Sequence, residues 1–406
     1  MSRQRVIQVF EYQVLRYDSQ GLFRKHHFEA MVQFNEKHGN KYYTVVHKGV
    51  RFDSYVGVLQ VGGLTIEILP KADNNPHADM HLWQGVLLDM LYMCHKIRVD
   101  HQSEAALRRR HNSILDIYFE LFLNETEEIV KRGLIRKYRQ EESNQSVLRG
   151  KILFSLHIRQ NMIHKEQFYC QHQIYDRDHL IHHIIYRALY ILKDFIAEYM
   201  RDRLNRLLSV FQDYELRQID EQMLNQVVYD RNSSAYRPAV EIARIIILNY
   251  SPNLQAGSDN LLTLLFDMNS LWEEYIYRVL HKYRPRDYEV IAQDSMPFWE
   301  SRRIRPDIVI RHGDETWIID TKWKVLDNNN VADDDLKQMF VYNLHWKAER
   351  SMLLYPCVNQ SDSEFGHFHY NRQLNSCKLG FVRLADDQTI TPADVVAEQV
   401  YRKLRS

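Results

Sequence analysis

Arg305-Pro-Asp-Ile-Val-Ile-Arg-His-Gly-Asp-Glu-Thr-Trp-Ile-Ile-Asp-Thr-Lys322 is the stretch on which the reading of this chain turns. Asp307 to Ile310 enters an apolar, β-branched run, Thr316 to Lys322 holds a second, and His312-Gly-Asp-Glu315 between them is turn chemistry. The stretch therefore predicts two antiparallel neighbouring strands. Residues two apart in a strand share a face, so Asp320 and Lys322 project together while Ile319 and Thr321 point away. The turn sets Asp307, at the start of the first strand, beside Asp320, at the end of the second. Two carboxylates converging from adjacent strand ends offer hard oxygen donors to Mg²⁺ and leave coordination positions for water and a scissile phosphate. Lys322 beside them can orient the attacking water or help deprotonate it, and can offset charge developing on the phosphate. Ile319 would join the metal only through its backbone carbonyl. A bare D-x-K is weak by itself, since Asp335-Leu-Lys337 matches it within a helical stretch. A Pro-Asp entering one strand and an Asp-x-Lys ending the next are jointly rarer. The alternative is two acids ending strands at turns beside a solvated lysine.

Upstream, Asn269 to Leu280 predicts a helix burying Leu271, Trp272, Tyr275, Ile276 and Val279, with Glu273 at its edge as a further candidate carboxylate near the metal. Arg302, Arg303 and Arg305 are candidate phosphate contacts, or else a solvated turn. Downstream, Asp333 to Asp335 can cap a helix on which Gln338 and Tyr342, four apart, face the same way; in a nuclease they would contact the phosphate backbone near the cut. An ordinary surface Gln with a half-buried Tyr is the competing reading.

Farther out, residues 1–80 read as β-rich. Lys41 to His47 predicts a strand, and Tyr55 to Val61 with Leu64 to Leu69 predicts a hairpin closed by Gly62-Gly63. After Asn74-Asn-Pro76 the period becomes helical, in His81 to Met93 and again in about Asn112 to Val130. Residues 81–255 form a mainly helical middle region with an extended segment over 147–175, after which Asp178 caps a long helix. Asn249 to Asn260 marks a boundary before a final domain, 256–406.

The 406 residues are 45% hydrophobic and 26% charged, enough for two or three domains with their own cores. Lys+Arg and Asp+Glu are both 53, so any nucleic-acid contact must come from local patches. Cys94, Cys170, Cys357 and Cys377 are far apart and form no CxxC pair, no signal peptide is evident, and no apolar run nears the roughly 18 residues that cross a bilayer. A reduced, cytoplasmic setting without membrane is expected. The histidines His157, His164, His172, His179, His182 and His183 lack ligand spacing, and His179 with His183 reads as a polar or partner-facing surface. Arg108-Arg-Arg110-His111 reads as a solvated face or a contact to DNA or an acidic partner.

Taken together, Leu271-Trp-Glu-Glu-Tyr275, Arg305-Pro-Asp307, Ile319-Asp-Thr-Lys322 and Gln338-Met-Phe-Val-Tyr342 resemble the McrC family, the nuclease subunit of McrBC-type modification-dependent restriction systems. Gly57-Val-Leu-Gln-Val61, Glu67-Ile-Leu-Pro-Lys71 and Arg149-Gly-Lys-Ile152 extend the resemblance over most of the chain. The resemblance implies an α+β multi-domain protein: a β-rich N-terminal partner-docking region, a helical middle, and a C-terminal PD-(D/E)XK nuclease fold, a mixed sheet flanked by helices. It implies Mg²⁺-dependent cutting of methylcytosine-containing double-stranded DNA in phage defence. The partner would be a McrB-like hexameric AAA+ GTPase that this chain stimulates. Gly150-Lys151 lacks the rest of a phosphate-binding loop, so the chain is expected to bind no nucleotide itself. Assembled complexes are expected to dimerise to break both strands. Two rival readings are a repair or recombination nuclease coupled to a helicase, and a non-catalytic stimulator of an AAA+ ring.

Overall fold

A computed structural model describes residues 5–19, 21–72, 79–97, 113–251, 260–326, 330–357, 362–369, 375–386 and 389–405. Asn74-Asn-Pro76, Arg108-Arg-Arg110-His111 and Asp327-Asn-Asn329 lie outside the described residues. The chain divides into two compact units, one of Met1–Ile114 with Pro252–Ser406 and one of Leu115–Ser251. No helix among the described residues is long and apolar enough to cross a membrane. All four cysteines are free and buried.

The N-terminal part of the first unit holds β1 (Arg5–Phe10), β2 (Val14–Arg16), α1 (Lys25–Lys37), β3 (Tyr43–Val46), β4 (Gly49–Phe52), β5 (Tyr55–Val61), β6 (Leu64–Leu69) and α2 (Met80–Met93). The β5–β6 hairpin is where the sequence places it, because Gly62 and Gly63 take the positive φ of 53° and 75° that a two-residue hairpin turn requires. β1 joins β6 in parallel. Val9, Phe34, Tyr43, Leu59 and Ile66 form the core between this sheet and α1.

The second unit comprises most of α3 (Ile114–Arg132), then β7 (Lys137–Gln145), β8 (Lys151–Ile152), α4 (Phe154–Asn161), β9 (Phe168–Asp176), α5 (Leu180–Leu192), α6 (Glu198–Val210), α7 (Glu221–Asn225), α8 (Arg237–Leu248) and β10 (Tyr250–Ser251). Three expectations fail here. The segment 147–175 is not extended throughout, since Phe154–Asn161 is helical. Its Phe154 and Ile158 are exposed, and the buried Asn161 ends the helix in a reciprocal amide pair with Asn144. Those tertiary bonds override a composition that favours a strand. Nor does Asp178 cap α5; His179 does, its Nδ1 accepting from the amide of Ile181. Asp178 accepts from His183 Nε2 instead, which holds its carboxyl below the usual range. His179 and His183 do not form an exposed polar or partner-facing pair: His179 is half-buried at the cap, and His183, buried beside His182, engages Glu215 while His182 engages Arg177, Tyr214 and Tyr236.

The chain then re-enters the first unit with β11 (Leu261–Asp267), α9 (Met268–Lys282), β12 (Glu289–Ala292), β13 (Met296–Trp299), β14 (Arg302–Ile304), β15 (Ile308–His312), β16 (Glu315–Thr321), α10 (Asp333–Trp346), β17 (Arg350–Cys357), β18 (Gly366–His367), β19 (Ser376–Arg383) and α11 (Ala393–Arg405). β11 pairs antiparallel with β5 and extends the N-terminal sheet in the order β1-β6-β5-β11. Gly57 is needed there: a Cβ at that position would sit 2.0 Å from the carbonyl oxygen of Leu264. The rest builds a six-stranded mixed sheet, β12-β15-β16-β17-β19-β18. β16 and β17 are parallel, so their connection needs a crossover, which α10 supplies. Met339, Tyr342 and Trp346 of α10 pack on Val309, Ile318, Leu353 and Phe381 of the sheet. Tyr401 of α11 donates to the carbonyl of Leu280, tying α11 to α9.

Candidate active site

The predicted hairpin exists, and its register fixes the site. Ile308 pairs with Ile319, so continuing the ladder by one residue sets Asp307 opposite Asp320. Ile318 packs toward α10, and period-2 alternation puts Asp320 and Lys322 on the same side. The Asp320 side chain is 2% exposed, so its burial is nearly complete. Lys322 Nζ lies 2.7 Å from Asp320 Oδ2, an ion pair without hydrogen-bond alignment that leaves this buried oxygen with no aligned donor.

Burial first, and the facing Asp307 second, raise the Asp320 carboxyl to about 7, with Lys322 partly offsetting them. For Lys322, burial works against the charge, but Asp320 and then Asp335 outweigh it and the net shift is upward. The ammonium is therefore a fixed positive charge at neutral pH. Asp307 Oδ2 accepts from both the amide and the hydroxyl of Thr321, at 2.7 and 2.8 Å.

The helix-borne residues also converge. Lys322 Nζ reaches Gln338 Oε1 at 3.4 Å, Gln338 donates to the Tyr342 hydroxyl at 2.7 Å, and that hydroxyl donates to the carbonyl of Arg305 at 2.9 Å. Tyr342 is buried and so serves the site from behind. Asp333 to Asp335 do not cap α10. Ala332 is the cap residue, without a side-chain bond, and the three acids occupy the first turn, where the helix dipole favours them. Asp335 is bound instead to Lys322 and Lys324, at 3.4 and 2.7 Å.

Glu273 stands at the margin. Its Oε1 accepts from Gln293 Nε2 at 2.6 Å, and burial, with Asp307 nearby, raises its carboxyl. Among the described residues no three His, Cys, Asp or Glu side chains converge as a metal-holding group, so the acidic core is the pair Asp307 and Asp320. Arg305 adjoins the site, whereas Arg302 and Arg303 lie in the β13–β14 ribbon.

Sequence reasoning missed two residues. Gln293 lies in the left-handed region at φ 50°, where its amide holds the carbonyl of Asp307 and its side chain holds Glu273. Such backbone strain at a non-glycine residue points to a fixed local task. Thr321 is the other, since its role depends on a side chain from the facing strand.

These groups fit a hard divalent ion: their donors are carboxylate oxygens, and one is buried without an aligned donor. A backbone oxygen is also placed for it. A strand residue sends its N–H and C=O to one edge, so the Thr321 carbonyl faces Asp307 as its amide does. The ladder partner at that level is Pro306, which has no N–H to offer it. Ile319 is fully buried and lies opposite Ile308 within the ladder.

A family model described as "McrBC 5-methylcytosine restriction system component" matches residues 50–356. No curated protein matches. The fold is similar to a chain in the half-complex from a tetradecameric assembly of Thermococcus gammatolerans McrB AAA+ hexamers with bound McrC, at TM-score 0.74 and 19% identity, covering 98% of this chain and 100% of that one. It is also similar to a chain in the cryo-EM structure of the Thermococcus gammatolerans McrBC complex, at TM-score 0.53 and 21% identity over 69% of this chain and 88% of that one. The chain belongs to the family of McrBC 5-methylcytosine restriction system components.

Proposed function

We propose that this chain is the DNA-cutting subunit of a McrBC-type restriction complex, hydrolysing phosphodiester bonds in methylcytosine-containing DNA at a PD-(D/E)XK site centred on Asp307, Asp320 and Lys322. The observation that carries the reading is the meeting of these three groups at the end of β16, in a chain of this family. Asp307, Asp320 and the backbone carbonyl of Thr321 would hold Mg²⁺, in place of the Ile319 carbonyl that the sequence suggested. A bound Mg²⁺ would polarise the phosphate and acidify a water at the site.

The protein's own groups do the rest. Thr321 fixes the rotation of the Asp307 carboxylate by holding one of its oxygens. Lys322, kept charged by Asp320 and Asp335, acts as a cation that orients water and stabilises negative charge on phosphate, rather than as a base. Gln338 steers that ammonium, and Tyr342 anchors Gln338 to the backbone just before Pro306-Asp307. Glu273 and Gln293 brace Asp307 from the other side.

The partner is a McrB-like hexameric AAA+ GTPase whose activity this chain stimulates. That reading is supported by the family and by the similarity of fold to a chain from McrB AAA+ hexamers with bound McrC. The test uses the full chain with its neighbour-encoded AAA+ protein, GTP, Mg²⁺ and methylated DNA. Asp320→Ala and Lys322→Ala are expected to lower cleavage by about a hundredfold or more while GTPase stimulation persists. Undiminished cleavage by Asp320→Ala would remove the assignment.

A further inference from the structure

The β13–β14 ribbon supplies no residue to the Asp307–Asp320–Lys322 cluster. It stands apart from the six-stranded sheet as a two-stranded antiparallel pair with a register shift between Pro297 and Trp299. A proline is tolerated there because a two-stranded ribbon leaves one edge of each strand unpaired. Isolated ribbons are marginal in water, and this one is stitched at its base. Arg303 donates to the hydroxyl and carbonyl of Ser295, at 2.8 and 2.6 Å, and Trp346 of α10 donates to Asp294 at 2.9 Å.

Its outer part carries an unusual surface. Phe298 is 52% and Trp299 56% exposed, although burying either ring would be favourable. The Arg302 guanidinium lies 5.5 Å from the centre of the Trp299 ring. Neither Arg302 nor Arg303 pairs with a carboxylate among the described residues. From Ser295 to Arg305 there are three arginines and one acid, Glu300 at the turn. An apolar ring flanked by uncompensated guanidinium groups matches a polyanion that also offers apolar edges, and nucleic acid is such a partner.

Position selects which nucleic acid. β14 runs directly into Arg305-Pro306-Asp307, and the Arg305 carbonyl is held by Tyr342 beside Gln338 and Lys322. The ribbon is thus fixed relative to the phosphate that the site would cut. A two-stranded β-ribbon has the width that a duplex groove admits.

We infer that the β13–β14 ribbon is an arm for duplex DNA that enters a groove beside the scissile phosphate, with Trp299 and Phe298 against sugars and base edges and Arg302 and Arg303 on phosphates. The inference rests on the reading of the chain as a DNA-cutting subunit. It deepens that reading by assigning the flanking duplex to a particular surface.

The test reads binding, not cutting. The full-length chain is titrated onto a short fluorescent duplex without divalent metal, by anisotropy, over a range of salt. Arg302→Ala with Arg303→Ala is expected to weaken binding about tenfold and to flatten the salt dependence by nearly one unit of log–log slope for each lost phosphate contact. Phe298→Ala with Trp299→Ala is expected to weaken binding about tenfold with the slope unchanged, and Trp299→Phe to retain most of the affinity. Unchanged melting temperatures check that these surface variants fold. Cleavage by Asp320→Ala, measured in parallel with the AAA+ partner, GTP and Mg²⁺, reports separately on the proposed site, so a failure of that reading is told apart from a failure of the arm. No duplex binding by the parent, a preference for single strands, or parent-like affinity and slope in both double variants would overturn the inference.

Discussion

Thr321 donates both its amide and its hydroxyl to one oxygen of Asp307, at 2.7 and 2.8 Å. Two donors on one oxygen fix the carboxylate's rotation. Partners of this kind typically change metal affinity by 10- to 100-fold when removed. Thr321→Val, nearly isosteric but without the hydroxyl, is expected to raise the Mg²⁺ concentration for half-maximal cleavage by about tenfold. Thr321→Ser should restore it. Equal Mg²⁺ dependence in all three proteins would show that the hydroxyl is incidental.

Gln293 occupies a backbone conformation that suits glycine, with φ 50°. Gln293→Gly removes that strain and should leave the melting temperature unchanged or raise it, by a free energy of up to about 1 kcal/mol. The same change deprives Glu273 of its 2.6 Å donor beside Asp307, so cleavage should fall by roughly tenfold. A variant that loses stability and keeps full activity would contradict the placement of Gln293 as a brace.

Glu11 gives the fold a pH dependence of its own. Its carboxyl accepts from the indole of Trp323 and the amide of Lys71, and burial raises it to about 7 against those two hydrogen bonds. With the folded value above the unfolded one, the folded state binds more protons between about 4.5 and 7. Stability from this group is full below that window and is lost as pH rises through it. Glu11→Gln should flatten that decline, by up to about 3 kcal/mol between its ends. Denaturant melts at pH 5 and pH 8 measure it, and parallel pH dependences in parent and variant would refute the assignment.

What the sequence discloses follows from how local each cause is. The β15–β16 hairpin was legible because its turn and alternation lie within Asp307 to Lys322, and with it came Asp307, Asp320 and Lys322 as neighbours. The β5–β6 hairpin was legible for the same reason, through Gly62-Gly63. The pairing of β5 with β11 was not, because partners about 200 residues apart leave no local signature. β7, Lys-Tyr-Arg-Gln-Glu-Glu-Ser-Asn-Gln145, is too polar to announce a strand, and its ladder with β9 sustains it. Gln293 and Thr321 escaped notice since each acts through a hydrogen bond to a residue outside its own element. Asp178 and Asp333 to Asp335 looked like caps by residue type, but nearby His183, Lys322 and Lys324 offered some of these carboxylates other donors.

The central claim, that Asp307 and Asp320 form the seat of a divalent ion, is tested most directly by Mn²⁺ binding to the metal-free full chain, followed through loss of the free-ion electron paramagnetic resonance signal. A carboxyl raised to about 7 must give up its proton before it can hold metal. The account therefore predicts a site whose affinity climbs by up to about tenfold per pH unit toward pH 7 and then levels off, and which is absent in Asp320→Ala. Binding of equal strength in the parent and Asp320→Ala at every pH would contradict it.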